Sequence, residues 1–125
     1  MIYTGSCHCK AIRFEVEAPN SIEVEDCNCS ICSKFGYLHL IVPKSKFTLL
    51  SGEEKLTTYT FNTGVAKHTF CSVCGAKPFY VARSNPDGID VNLRCLDTQP
   101  QNVTIVPFDG QNWEDNAASL AHKSQ

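Results

Sequence analysis

A mainly β domain with one short C-terminal helix is what this sequence predicts. Two patterns carry that reading: a succession of short apolar or β-branched runs separated by turn residues, and a single stretch with helical spacing. A third feature, eight cysteines in 125 residues, bears on how so small a fold would be held together. The length fits one domain over residues 1–125, with no room for two sizeable cores.

Taken in order, Ile12, Phe14 and Val16 alternate with Arg13, Glu15 and Glu17, the period-two mark of a half-buried strand. Ala18-Pro19-Asn20-Ser21 closes it with turn chemistry. Residues 22–26 form a second short strand leading into a cysteine-rich loop. Residues 37–42 are aromatic and β-branched and stop at Pro43, and residues 47–50 end at Ser51-Gly52. Residues 56–61, rich in Thr and aromatics, turn at Asn62-Thr63-Gly64 into residues 66–70 as a hairpin. Residues 78–82, 89–93 and 103–108 complete the strands. Only residues 111–121, with Trp113, Ala117 and Leu120 at helical spacing, read as a helix. Periodicity leaves the arrangement of the sheets open.

The composition narrows the partners. Apolar types make up 42% and charged types 19%, so the chain buries a core and is not disordered. Eleven Lys and Arg against thirteen Asp and Glu give a net charge of -2, which offers no general attraction for nucleic acid or an anionic membrane. The longest apolar run, Leu40-Ile41-Val42, falls far short of the roughly 20 residues that span a bilayer. The opening Met1-Ile2-Tyr3-Thr4-Gly5 has no basic, apolar leader, so the expectation is a cytoplasmic protein, with a nuclear location open.

Seven of the eight cysteines fall in tight clusters: Cys7-x-Cys9, Cys27-x-Cys29-x-x-Cys32 and Cys71-x-x-Cys74. A secreted disulfide framework would also use eight cysteines. Cysteines one or two residues apart bridge each other poorly, however, whereas a tetrahedral ion readily takes two thiolates from one turn. Zinc is therefore the expected cofactor, two ions per chain. In Cys71-Ser72-Val73-Cys74-Gly75 the glycine allows the left-handed conformation that closes the turn. Two ligands leave a tetrahedral site half filled, and Cys7 and Cys9 supply the other pair. An ion on Cys7, Cys9, Cys71 and Cys74 would tie the start of the domain to its middle. Cys27, Cys29 and Cys32 can cap one face of a second ion, leaving a fourth position open as in catalytic zinc sites. Cys95 decides that position: within reach it closes the site as structural, and out of reach it leaves room for a substrate thiolate.

Gly5-Ser6-Cys7-His8-Cys9, Ile12-Arg13-Phe14, the triple-cysteine loop, Phe70-Cys71-Ser72-Val73-Cys74-Gly75 and Cys95-Leu96-Asp97 together resemble the glutathione-dependent formaldehyde-activating enzyme family. Thr58-Tyr59-Thr60-Phe61-Asn62-Thr63 and Arg83-Ser84-Asn85-Pro86 are similar to its centromere protein V-like branch. The resemblance implies a zinc-stabilised β-tent of antiparallel sheets and two zincs divided as above. It also implies a carbon–sulfur lyase type reaction in which glutathione and formaldehyde combine reversibly to S-(hydroxymethyl)glutathione. Lys10 stands where the family often has glycine, so that turn is expected to differ.

Zinc binding ionises a thiol whose ordinary pKa is near 8.5, so a glutathione thiolate at the second site could add to an aldehyde carbon. Three thiolates already blunt the ion's Lewis acidity, which points to positioning. His39, seven residues past the triple cluster, and Arg94, beside Cys95, are candidates for the glutathione site. Arg83 reads first as a surface ion pair, His68 as packed, His8 as pointing away from the metal, Asp97 as a turn residue, and Tyr80, Phe108 and Trp113 as core. Two function classes stand: an enzyme handling glutathione adducts of small aldehydes, and a noncatalytic zinc-stabilised binding or scaffold module.

Overall fold

A computed structural model describes residues 1–125 and contains ten strands in three sheets. The first sheet joins β1 (Ile2–Ser6), β2 (Arg13–Glu17) and β5 (Phe47–Ser51), all antiparallel in the order β1-β2-β5. The second holds β3 (Ser21–Cys27), β4 (Leu38–Pro43), β8 (Phe79–Tyr80), β9 (Gly88–Asn92) and β10 (Asn102–Phe108), ordered β10-β3-β4-β9-β8. The third is the hairpin of β6 (Leu56–Tyr59) and β7 (His68–Cys71). It reaches the second sheet through a bridge between Lys67 and Val81.

The mainly β expectation holds, with three differences of detail. β1 escaped notice because Tyr-Thr-Gly-Ser lacks an apolar alternation, yet it pairs with β2 over its full length. β10 runs parallel to β3, while every other pairing is antiparallel. The C-terminal stretch is only partly α-helical: α2 (Trp113–Asn116) lies between a 3₁₀ turn at Gly110–Asn112 and a longer 3₁₀ run at Ala117–Ser124. A further single turn, α1 (Cys32–Phe35), follows the triple-cysteine loop and ends at Gly36 with φ 64°.

The first two sheets share one core. Ile12, Phe14 and Val16 face Ile22, Val24, Leu38, Leu40, Val42 and Val91. Phe47 stacks on Phe14 with ring centroids 5.6 Å apart and lies 4.7 Å from Phe79, linking β2, β5 and β8. Because side chains alternate along a strand, the residues between these core positions point the other way. That second face of the larger sheet carries Glu25, Cys27, His39, Tyr80 and Asp90, all buried. The C-terminal segment and the β6–β7 hairpin flank it and make a cavity.

Candidate metal centres and the adjoining cavity

All eight cysteines are free thiols. The Sγ atoms of Cys7, Cys9, Cys71 and Cys74 all lie within 4.8 Å of one another, as do those of Cys27, Cys29 and Cys32. Thiolates around a tetrahedral ion at a Zn–S distance of about 2.3 Å stand about 3.8 Å apart. Cys7 and Cys9 are 3.6 Å apart and Cys9 and Cys71 3.7 Å apart, so the four-thiol site already has those edges. Backbone amides complete it: Ile12 donates to Cys7 Sγ at 3.4 Å, and Val73 and Cys74 donate to Cys71 Sγ at 3.4 and 3.5 Å. Such donors stabilise the thiolate form, and the set fits a metal ion.

Local backbone makes the arrangement. Gly75 takes φ 78° as expected, and its amide donates to Cys71 O at 2.8 Å. Lys10 adopts φ 67°, so the turn after Cys9 places an L-residue in the left-handed conformation that glycine takes without strain.

Cys27 ends β3, Cys29 lies in the following loop and Cys32 begins α1. The amide of Cys32 donates to Cys29 Sγ at 3.4 Å. Hydrogen bonds from Cys27, then Cys32, draw the Cys29 thiol down to about 2, while Cys27 is pushed up to about 11 by its bond to Cys29. Cys32 is driven strongly upward by the same two neighbours and by burial. Three thiols so close cannot all ionise without a cation among them, so this set also suits a metal. Gly110 packs directly on it, and a Cβ there would collide with Cys27 Sγ and press on Cys29 Cβ.

Cys95 is not part of the triple-cysteine site, which corrects the tentative assignment as its fourth ligand. Its Sγ lies 3.9 Å from Lys77 O, and the charges that act on it are those of Cys7 and Cys74, on the four-thiol side. The 3₁₀ turn Leu93–Cys95, capped by Asn92, turns it there. Arg94, the other glutathione-site candidate, is exposed and is not among the residues that line the cavity beside Cys27, Cys29 and Cys32.

A cavity of about 410 Å³ opens beside Cys27, Cys29 and Cys32, within the range of small-ligand sites. His39 lines it, and so do Glu25, His68, Tyr80 and Asp90. His39 Nδ1 lies 2.7 Å from Asp90 Oδ2. Burial would depress His39, but the Asp90 charge and hydrogen bond outweigh it and hold its pKa above the ordinary value. His68, stacked between Phe61 and Tyr80, is lowered to about 4 by burial and by Lys77.

At the rim, Arg83 pairs with Glu114 at 2.9 Å, the ion pair expected, and also lies 3.9 Å over the Trp113 ring. Phe108 and Trp113 line the cavity and belong to neither buried core cluster. Tyr80 packs with buried Tyr37 as expected of a core residue, and it lines the cavity too. His8 is exposed. Asp97 accepts from Thr4 Oγ1 at 2.8 Å, fixing a connection. Spacing alone missed Glu25 and Asp90, whose only signal was an acidic residue at an inward position of a strand.

The "Glutathione-dependent formaldehyde-activating enzyme" family model matches residues 2–109. A Halomonas elongata protein named "Putative glutathione-dependent formaldehyde-activating enzyme" is 32% identical, over 90% of this chain and 80% of that protein. A crystal structure of a Rhodobacter sphaeroides protein superposes with a TM-score of 0.72 at 35% identity, covering 82% of this chain and 99% of that one. Neither match singles out the centromere protein V-like branch. With most of its length matched and both cysteine clusters assembled, the chain belongs to the glutathione-dependent formaldehyde-activating enzyme family.

Proposed function

We propose that this protein is a zinc-dependent carbon–sulfur lyase that joins glutathione and formaldehyde, and separates them again, through S-(hydroxymethyl)glutathione. The observation that carries the reading is the three-thiol cluster bordering a cavity of about 410 Å³, with no fourth cysteine in the cluster. Cys7, Cys9, Cys71 and Cys74 would hold one zinc, and Cys27, Cys29 and Cys32 the other. The second ion would supply a cation that holds a glutathione thiol as its thiolate at neutral pH, a positioning role more than a Lewis-acid one.

The chain's own residues do the rest. The walls formed by Phe108, Trp113 and Leu120 shed water from the reacting carbon and limit the aldehyde to a small one. Arg83, braced on Trp113 and partly exposed at the rim, can exchange Glu114 for a glutathione carboxylate and bind it through two parallel N–H donors. Holding both partners in one cavity supplies proximity, the main advantage available when the uncatalysed addition is already easy.

The test is exchange NMR on zinc-loaded protein with ¹³C-formaldehyde and glutathione. Interconversion of free and thiol-bound formaldehyde should accelerate in proportion to protein concentration. Cys32→Ser should abolish the acceleration, and Cys95→Ser should keep it. Exchange at the buffer rate would leave the noncatalytic zinc-stabilised module instead.

A further inference from the structure

His39 sits on the cavity side of β4, is only 4% exposed, and has one ring nitrogen with no partner. Its other nitrogen, Nδ1, faces Asp90 Oδ2 at 2.7 Å, much nearer than the Tyr80 hydroxyl at 3.4 Å. A carboxylate only accepts, so a proton lies on Nδ1, and whenever the ring is neutral its Nε2 is a bare acceptor. The backbone that carries Asp90 is held by the Tyr37 hydroxyl, which donates to the Asp90 carbonyl at 2.5 Å. Tyr37 and Tyr80 pack against the imidazole at centroid distances of 4.6 and 5.9 Å, which locks its orientation. A buried acceptor left without a partner is costly in a purely structural residue, and two more unpartnered atoms, Glu25 Oε2 and Asp90 Oδ1, lie on the same face.

We propose that His39, oriented by Asp90, is the proton carrier for the hydroxymethyl oxygen in this cavity. The inference rests on the lyase reading and adds the acid–base group that reading lacks. In the release direction, Nε2 takes the hydroxyl proton of S-(hydroxymethyl)glutathione. The O–H electrons become the second C=O bond, the C–S bond breaks, and its pair stays on sulfur as the thiolate. In the joining direction the sulfur pair forms the C–S bond, the carbonyl π pair moves to oxygen, and the imidazolium returns its proton there. Each direction balances without an outside oxidant or reductant. Asp90 touches no reacting atom and is a positioning residue. The charged and titratable groups around the ring are Asp90 from β9, Glu25 from β3 with its partner Lys123, Tyr80 from β8, Tyr37, and Lys77 with His68.

His39→Gln keeps a polar side chain but cannot carry a proton. Measured by the same exchange NMR, it should lose about 100-fold or more of the acceleration, the ordinary reach of general acid–base catalysis. Glutathione affinity by calorimetry and zinc content should stay within about twofold, and the dependence of the wild-type rate on His39 ionisation should vanish from the pH profile. A second measurement needs no variant: ¹⁵N shifts of His39 should report the Nδ1–H tautomer, and Nε2 should move when the hydroxymethyl adduct binds but not with glutathione alone. Full activity in His39→Gln, an unchanged pH profile, or an Nε2 shift indifferent to the adduct would overturn the proposal while wild-type acceleration stood. Absence of acceleration in the wild type is a separate outcome that removes the lyase reading and this proposal with it.

Discussion

Lys10 holds a left-handed turn with a side chain that such a position disfavours. Its φ of 67° costs an L-residue about 1–2 kcal/mol that glycine would not spend. Lys10→Gly should therefore raise the denaturation midpoint, by less than that cost because glycine also gains freedom in the unfolded chain. Chemical denaturation of the zinc-loaded protein checks this, and no gain would mean that the turn is not strained. Gly110 presents the opposite case. Gly110→Ala drives a methyl into Cys27 Sγ, so metal analysis should find the second ion lost and the first retained. At this scale the two cysteine clusters that could hold a metal were legible because cysteine spacing is a strong local code. Asp90 and Glu25 were not, since their place on the cavity face comes from strand register, and the sequence could not place Arg94, because adjacency to Cys95 says nothing about which way a 3₁₀ turn points.

The β6–β7 hairpin shows what a single element contributes. It is tied to the larger sheet by the Lys67–Val81 bridge and by His68, whose ring lies 4.8 Å from Tyr80 and whose Nδ1 is 2.7 Å from Lys77 Nζ. With its folded pKa lowered to about 4 against an ordinary value near 6.5, His68 is neutral when folded and takes a proton on unfolding between those values. The stability it contributes is complete above about pH 6.5 and falls away as pH drops toward 4. In thermal melts over that window, His68→Gln should flatten the slope relative to wild type at equal zinc load. Parallel slopes would show that the histidine is not held neutral. Most elements were legible from period-two alternation and turn residues. The parallel β10–β3 pairing was not, because one strand's pattern does not fix its neighbour's direction. The C-terminal run was read as one helix because Trp113, Ala117 and Leu120 at i, i+4 and i+7 fit an α-helical face, and side-chain spacing does not show where the backbone bonds tighten from i+4 to i+3.

For the whole molecule, the two clusters divide the labour between holding the fold and serving the cavity. The four-thiol set joins the β1–β2 loop to the end of β7, segments over sixty residues apart, so an ion held there would close a long loop across sheets that share only one small core. The three-thiol set closes only the short loop between β3 and α1 and has the cavity on its open side. Graded chelation should then proceed in two steps. A mild chelator should remove the second zinc first, ending exchange catalysis while the far-ultraviolet circular dichroism and the main melting transition persist. A stronger chelator should remove the first and collapse the melting transition. Glutathione in the cavity should slow the first step or change its midpoint, and should leave the second alone. Both ions leaving together, with the fold lost in one transition, would contradict this division. In that case the triple-cysteine loop would be a structural clasp, and the cavity beside it would need another explanation.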